Sequence, residues 1–178
     1  GAKKGWETRR KNGWSKEQVE TNRKAILSLF EDATDKKESH PNRTVELGTI
    51  SKEDAATEFG FNPNKPIILL IGGSLGARTL NCSILKSLEL IRNSNIQFIW
   101  QTGSYYKENI TQELERYGTP RNLYVTDFIR GMDKAYKAAD LVISRAGASS
   151  ISELCLLGKA SILVPSPNVA EDHQTHNA

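Results

Sequence analysis

The sequence predicts an α/β fold, a Rossmann-like doubly wound parallel sheet, preceded by a helical N-terminal segment. Short β-branched runs alternate with helical stretches from about residue 66 to residue 178. The first run, residues 67–71, is entirely apolar, as expected for a strand covered on both faces of a parallel sheet. A glycine-rich turn follows it directly and leads into a helix. Right-handed crossovers then place helices on both faces of the sheet.

The first 62 or so residues differ in character from the rest, because they are polar and carry no strong strand signal. A capping box at residues 15–18 predicts one helix. A second capping signal at Ser51 predicts a short helix that ends at Gly60. Between them, residues 35–43 are charged and contain a proline, which indicates a linker. We therefore place a domain boundary near residue 45.

The remaining elements follow from the spacing of apolar residues. Runs of four or five β-branched and aromatic residues predict strands, and apolar residues that recur every three or four positions predict helices. In chain order we expect strand 67–71, helix 77–91, strand 96–100, helix 106–117, strand 123–126, helix 132–139, strand 141–144, helix 149–157, strand 161–164 and a helix start at His173.

Composition and charge exclude several classes of protein. Hydrophobic residues make up 38% and charged residues 25% of the 178 residues, as in globular domains. No apolar run approaches the roughly 20 residues of a membrane-spanning helix. The net charge of +3 is too small to indicate nucleic-acid binding, and we expect no such partner. Cys82 and Cys155 lie in predicted helices, and we interpret them as buried thiols in a reducing compartment.

The glycine-rich turn, residues 72–77, indicates a phosphate site. Glycines let the backbone approach a ligand closely, and free amides at the next helix start attract anions. Gly73, Ser74 and Gly76 are therefore candidate phosphate contacts, with Ser74 donating its hydroxyl. The pattern is neither Walker A nor a complete G-x-G-x-x-G motif. A tight turn without any ligand is the simplest alternative.

The same turn matches the G-x-S-x-G nucleophile elbow of serine hydrolases. Ser74 would then be the nucleophile, with His173 or His176 as the base and Asp140 or Asp172 orienting it. Against this hypothesis, the strand before the turn is the first of the sheet, whereas the hydrolase fold places several strands earlier. The two histidines have no third ligand in view, so we expect no metal site.

A second junction between a strand and a helix lies at residues 144–153. It provides another helix start suited to an anion, and Arg145 could pair with a diphosphate there. Glu153 could accept hydrogen bonds from vicinal hydroxyls such as those of a ribose. In isolation, a capping role or an interaction with the helix dipole is the simpler interpretation of Glu153. Near the C-terminus, the Gln174 amide can both donate to and accept from sugar hydroxyls.

These segments, in this order, resemble the MurG family, bacterial transferases that add N-acetylglucosamine to an undecaprenyl-diphosphate-linked muramyl-pentapeptide. The resemblance implies the C-terminal half of a GT-B glycosyltransferase, which binds UDP-N-acetylglucosamine and inverts the anomeric centre without a cofactor. It also implies peripheral association with the cytoplasmic face of the membrane. The stretches that carry it are IGGSLGARTLN at residues 71–81, VTDFIRGM at 125–132, ADLVISRAGASSISE at 139–153 and VPSPNVAEDHQTHNA at 164–178.

The resemblance also implies roles for individual residues. Ser74 faces the diphosphate, Ile129 lies beside the uracil, and Gln174 reaches the sugar. Glu153 binds the ribose hydroxyls, and this favours the ligand-binding interpretations of the turn and of Glu153 over the hydrolase. No residue stands out as a general base, so the catalytic residues remain unassigned. The residues expected to line the nucleotide-sugar are Ala148, Ser149, Ser150, Ile151, Ser152 and Glu153.

The sequence also departs from the family pattern. Residues 1 to about 40 do not resemble the family, and the family's N-terminal domain, which holds most of the lipid acceptor site, is not recognisable. A Gly-Asn-Pro-Val-Arg segment of the family has only residues 40–43 as a counterpart, so Arg43 is not assigned to the site. We expect residues 1–45 to be a segment of unassigned role, and residues 46–178 to be a nucleotide-sugar-binding domain incomplete at its C-terminus.

Such a chain should bind UDP-N-acetylglucosamine weakly and not catalyse transfer by itself. The alternatives are a donor-binding subunit that works with a separate membrane-bound partner chain, and a UDP-sugar epimerase of the same fold.

Overall fold

The computed structural model describes residues 50–166 and Gln174. Several predictions fall outside these residues: the helix beginning near residue 15, the linker 35–43, the boundary near residue 45, Arg43, Asp172, His173 and His176.

Strands and helices alternate through the described part of the chain, as the apolar spacing predicted. The elements are α1 (Lys52–Glu58), β1 (Ile67–Ile71), α2 (Arg78–Lys86), α3 (Leu88–Arg92), β2 (Gln97–Gln101), a 3-10 turn (Ser104–Tyr106), α4 (Lys107–Tyr117), β3 (Leu123–Thr126), α5 (Met132–Ala138), β4 (Leu141–Arg145), α6 (Ala148–Leu157) and β5 (Ser161–Val164).

The strands form one sheet in the order β3-β2-β1-β4-β5, and every neighbouring pair is parallel. All five residues of β1 are buried at the centre of the sheet. The chain moves outward from β1 to β3 and then returns to β4 on the other side. This reversal places a topological switch point between β1 and β4, where open α/β sheets bind ligands. The Rossmann-like doubly wound prediction is confirmed.

Helices cover both faces of the sheet. On one face, alternate residues of β1 pack in a core cluster with α1 and α5. On the other face, the Trp100 indole donates a hydrogen bond to Asn81 of α2 at 3.0 Å. Successive side chains of a strand point to opposite faces of the sheet, so the residues of β1 contribute alternately to the two layers. Register partners on neighbouring strands, such as Leu70 and Trp100, share a face. The core residues of the first face include Ile67, Leu69, Ile71, Ile99, Val142, Ala135, Tyr136 and Leu154.

The helix predicted over residues 77–91 is divided in two. Ser87 ends α2 and begins α3, with a backbone at φ −103° and ψ 7°. Its N–H bonds to the carbonyl of Ile84, only three residues earlier, at 2.9 Å. Serine favours such helix ends over interiors because its hydroxyl competes for backbone groups. The apolar period continues through the break, since Leu88 and Ile91 are both buried. The spacing of apolar residues therefore does not reveal the break at Ser87.

The prediction that both cysteines are buried is wrong. Cys82 and Cys155 are exposed free thiols. In α2 the buried positions are Leu80, Asn81 and Ile84, and Cys82 falls outside that stripe. In α6 the buried side chain is that of Leu154, which turns its neighbour Cys155 away from the sheet.

Candidate functional site

The glycine-rich turn forms a tight loop at the carboxyl end of β1. The N–H of Gly76 donates to the carbonyl of Gly73 at 3.0 Å, which closes the turn around Ser74 and Leu75. Gly73 and Gly76 have φ values of +86° and +90°, a region that strongly favours glycine. Ser74 is exposed at the tip. The turn therefore exposes backbone groups, the Ser74 hydroxyl and the Leu75 side chain, which is 70% exposed.

A second loop, which follows β2, supports this turn from the side. A Cβ atom on Gly76 would lie 2.1 Å from the carbonyl oxygen of Thr102, and one on Gly103 would lie 2.1 Å from the nitrogen of Gly76. The N–H of Ser104 donates to the carbonyl of Ser74 at 3.0 Å. Two stretches of backbone thus meet without side chains between them. Sequence reasoning missed this contact, although a glycine two residues after β2 was a visible signal.

Asn81 ties α2 to the same loop. Its side chain is 2% exposed, and its Nδ2 donates to the Thr102 carbonyl at 2.8 Å. Its Oδ1 accepts from the indole nitrogen of Trp100 at 3.0 Å. Buried amides that have partners at both ends define a unique packing. Asn81 is a polar residue on the apolar side of the predicted helix, and this is the signal in the sequence that indicates a buried hydrogen-bonding role.

Two helix N-termini follow neighbouring strands at the switch point. The N-cap residues of α2 and α6 are Ala77 and Gly147, and neither provides a side-chain cap. The first turn of each helix lacks an acidic residue. Ile71 and Ser144 are register partners, so the two junctions leave strands that are about 4.8 Å apart. Backbone donors and two positive dipole ends therefore lie at the same edge of the sheet, an arrangement suited to a diphosphate.

Arg145 lies at the end of β4, beside these helix starts. Its Nη1 donates to the carbonyls of Val164 at 3.2 Å and Pro165 at 2.8 Å. Burial lowers the pKa of its guanidinium, and nearby Tyr106 opposes that shift. Arginine pKa values lie so high that the group stays charged. Nη1 thus holds the chain at the end of β5 by hydrogen bonds. The other N–H groups of Arg145 have no hydrogen bond to the described residues.

Glu153 lies in the second turn of α6, where its Oε2 accepts a hydrogen bond from the Tyr136 hydroxyl at 2.9 Å. The capping interpretation of Glu153 is wrong, because the N-cap is Gly147 and the first turn contains no acid. Burial, and then Glu153 itself, raise the pKa of the Tyr136 hydroxyl, which remains a donor. Tyr136 lies on α5 and was not predicted as a site residue.

The other residues of the predicted α6 lining are placed as follows. Ala148, Ser149 and Ser150 form the first turn of α6, and the two serine hydroxyls have no partner among the described residues. Ser152 instead donates to the Ala148 carbonyl at 2.9 Å, within its own helix. Ile151 is half-buried, and its N–H bonds to Gly147.

Ile129 and Gln174 are less open than the resemblance suggested. Ile129 is 5% exposed and belongs to the core cluster, so its side chain presents almost no surface to a base. The Oε1 of Gln174 accepts from the Ser166 N–H at 2.8 Å. Among the described residues, none accepts a hydrogen bond from the amide NH₂ of Gln174, a donor suited to hydroxyl groups.

The serine hydrolase hypothesis loses one of its candidate acids. Asp140 accepts from the N–H of Ile67 through Oδ2 at 3.0 Å and forms an ion pair with Lys52 through Oδ1. Ile67 begins β1, whereas Ser74 follows its end, so Asp140 lies at the opposite edge of the sheet, more than about 13 Å away. The loop after β2 meets the turn instead, through the N–H of Ser104 and the backbone of Gly103.

Two further findings concern residues 50–166 and Gln174 alone. Among them, no group of three or more histidine, cysteine or acidic side chains is arranged to hold a metal ion. Likewise, none of the helices formed by these residues has the length and apolar character needed to cross a membrane.

Known proteins share this sequence and fold. Residues 67–178 match the family described as glycosyltransferase family 28 C-terminal domain. The chain is 60% identical over 128 residues to the UDP-N-acetylglucosamine--N-acetylmuramyl-(pentapeptide) pyrophosphoryl-undecaprenol N-acetylglucosamine transferase of Bacteroides fragilis, a match that covers 71% of this chain and 34% of that protein. It is 61% identical over 135 residues to the Parabacteroides distasonis protein of the same name, with 75% and 36% covered.

A solved structure agrees with these relatives. The crystal structure of Acinetobacter baumannii MurG aligns with a TM-score of 0.56 and 35% identity, and the alignment covers 74% of this chain and 37% of that one. The chain spans about a third of the length of the curated relatives it matches. The family match includes the glycine-rich turn, both helix starts and Glu153. The resemblance to MurG is confirmed, and the chain belongs to the glycosyltransferase family 28 C-terminal domain family.

Proposed function

We propose that this chain supplies the donor-binding half of a transferase that moves N-acetylglucosamine from UDP-N-acetylglucosamine to undecaprenyl-diphospho-muramoyl-pentapeptide. The observation that carries the proposal is the pair of uncapped helix N-termini at the switch point, beside a glycine turn that exposes Ser74. The printed names of the relatives, which include this donor and acceptor, support the choice of substrates.

In the proposed reaction, the negative charge that develops on the leaving group is what most needs stabilisation. A hydroxyl of the acceptor attacks the anomeric carbon, the bond from that carbon to UDP breaks, and the electron pair leaves on the diphosphate. Preorganised donors that face this growing charge stabilise the transition state. The amides that begin α2 and α6, the Ser74 hydroxyl and the remaining N–H groups of Arg145 fit that role. We assign no general base within this chain.

The rest of the donor extends along α6 in this proposal. Glu153 accepts from the ribose hydroxyls, Ile129 meets the uracil through its backbone, and the Gln174 amide meets the sugar. Ser149 and Ser150, whose hydroxyls have no hydrogen bond to the described residues, face the diphosphate from the first turn of α6. The lipid-linked acceptor is bound mainly by a separate N-terminal domain of the whole protein, which associates peripherally with the cytoplasmic face of the membrane.

Calorimetric titration of the 178-residue chain with UDP-N-acetylglucosamine tests donor binding directly. Loss of one charge-assisted hydrogen bond costs about 1.5–3 kcal/mol, so Ser74→Ala and Glu153→Ala should each weaken binding by roughly 10-fold or more. Matched controls are Ser83→Ala, because that hydroxyl bonds to the Thr79 carbonyl within α2, and Glu115→Ala on the exposed side of α4.

The controls should retain wild-type affinity. Absence of binding heat from a demonstrably folded wild-type sample would overturn the proposal. Unchanged affinity in both Ser74→Ala and Glu153→Ala would remove those residues from the site.

A further inference from the structure

Tyr136 makes a contact that the predicted donor site did not include. The side chain belongs to α5, is 4% exposed, and packs in the core cluster with Leu154 of α6. Its hydroxyl reaches out of this core to Glu153 Oε2 at 2.9 Å. The two residues are 17 positions apart in the chain, so only the packing of α5 beside α6 brings them together.

The contact restrains a side chain that would otherwise be mobile. A glutamate on an exposed helix surface samples several rotamers. A ligand that binds it fixes one of them, and the side-chain entropy lost in this way weakens binding. Tyr136 is buried and has only two torsions, so its hydroxyl is fixed by the core. The bond from a hydroxyl to a carboxylate is charge-assisted and therefore among the stronger hydrogen bonds.

The contact also leaves part of the carboxylate free for a ligand. Tyr136 occupies Oε2, and Oε1 of Glu153 has no hydrogen bond to the described residues. An ionised carboxylate has about four acceptor positions, so vicinal hydroxyls can still be accepted. Glu153 lies five residues beyond Ala148, about 7.5 Å along the axis of α6 from the amides proposed to bind the diphosphate. A ribose attached to that diphosphate lies within this range.

We propose that Tyr136 is a positioning residue for ribose recognition: its hydroxyl holds Glu153 in the orientation that accepts the vicinal hydroxyls of the nucleotide. This inference rests on the proposed function, since it deepens the role of the same donor site. It makes Tyr136 a determinant of selectivity for ribonucleotides over nucleotides that lack these hydroxyls.

The test compares two ligands, UDP and 2′,3′-dideoxy-UDP, by calorimetric titration of the full chain. Tyr136→Phe keeps the buried ring and removes only the hydroxyl. The matched control is Tyr124→Phe, because the Tyr124 ring packs edge-on against Phe59 and its hydroxyl has no bond to the described residues. We expect Tyr136→Phe to weaken UDP binding about 3- to 10-fold and to leave dideoxy-UDP binding unchanged. The Tyr124→Phe control should leave the binding of both ligands unchanged.

A double variant separates positioning from general damage. If Tyr136 acts through Glu153, Tyr136→Phe should cause no further loss in a Glu153→Gln background, since the two effects share one interaction. An equal loss for both ligands, or additive losses in the double variant, would overturn the inference. So would wild-type UDP affinity in Tyr136→Phe while Glu153→Gln binds weakly, an outcome that leaves the proposed function standing. Failure of the wild-type chain to bind UDP overturns both.

Discussion

The glycines of the turn after β1 have different tasks, although the sequence presents them as equivalent. Gly73 and Gly76 both have positive φ values, but a Cβ on Gly73 would meet nothing within 4 Å, whereas one on Gly76 would meet the backbone of Thr102 at 2.1 Å. Backbone cannot move aside as a flexible side chain can. Gly73 therefore permits a conformation, and Gly76 permits a close approach between two loops.

This difference gives a prediction for two otherwise matched substitutions. Gly73→Ala should reduce the free energy of unfolding by about 1–2 kcal/mol, the strain of a left-handed residue. Gly76→Ala adds a backbone clash to that strain and should cost more than about 3 kcal/mol, or prevent folding. Urea unfolding followed by circular dichroism measures both. Equal losses in the two variants would contradict the role assigned to Gly76.

For two other site residues, Arg145 and Glu153, the structure shows hydrogen-bond partners that the sequence does not indicate. The sequence placed Arg145 and Glu153 in the site through the types of their side chains. The structure adds that Arg145 also fastens the end of β5, and that Glu153 is held by Tyr136. Neither partner is close in sequence, so no local pattern could have indicated them.

At the scale of elements, helix α1 combines a capping signal that is local in the sequence with packing against the core. Ser51 is its N-cap, and the Ser51 hydroxyl oxygen accepts from the N–H of Asp54 at 3.0 Å, as the capping signal predicted. The helix has only seven residues, yet Ala55 and Ala56 are fully buried against the sheet layer. A short helix has little stability of its own, so its cap and its packing act together.

The cap can be tested alone. Ser51→Ala should lower the free energy of unfolding by about 1 kcal/mol, because one N-terminal amide of α1 loses its acceptor. Ser51→Thr keeps the acceptor and should lose only a few tenths of that value. Ser83→Ala, in the exposed part of α2, serves as the control and should be nearly neutral. A loss in Ser83→Ala equal to that in Ser51→Ala would argue against capping as the cause.

The pattern of elements was predictable except where periodicity continued through a break. Residues Leu80, Ile84 and Leu88 keep the spacing of one helix across the turn at Ser87. The spacing reports which side chains are buried, and burial is unchanged by the short turn. Backbone direction at such a turn depends on how the two helices pack, which the spacing does not record.

At the scale of the whole molecule, the helix starts at the switch point predict how strongly ligand affinity depends on the negative charge of the ligand. If two helix N-termini bind the diphosphate, phosphate groups should provide most of the affinity of the donor. A ligand that binds only the folded state stabilises it, by about 2.7 kcal/mol at 100 times its Kd. For a chain of this size that corresponds to a rise in Tm of roughly 5–10 °C.

The corresponding experiment compares UDP with uridine at equal concentration in a thermal unfolding assay. UDP should raise Tm by several degrees and uridine by much less, because uridine lacks the anionic groups. The difference should shrink at high salt, which screens charge interactions at an exposed site. An equal rise with UDP and uridine would show that the helix starts do not bind the phosphates.

The sequence by itself determined the class of fold, most element positions, the glycine turn and the two helix starts. Each of these depends on residues near one another in the chain, through apolar period, capping or glycine conformation. Tertiary structure alone decided the contact of Gly76 with the loop after β2, the hydrogen bonds of Asn81, the placement of Asp140 at the far edge of the sheet, and the hold of Tyr136 on Glu153. The hydrogen-bonded pairs among these are separated by 17 to 73 positions, and only the packing of the sheet and its helices defines their distances.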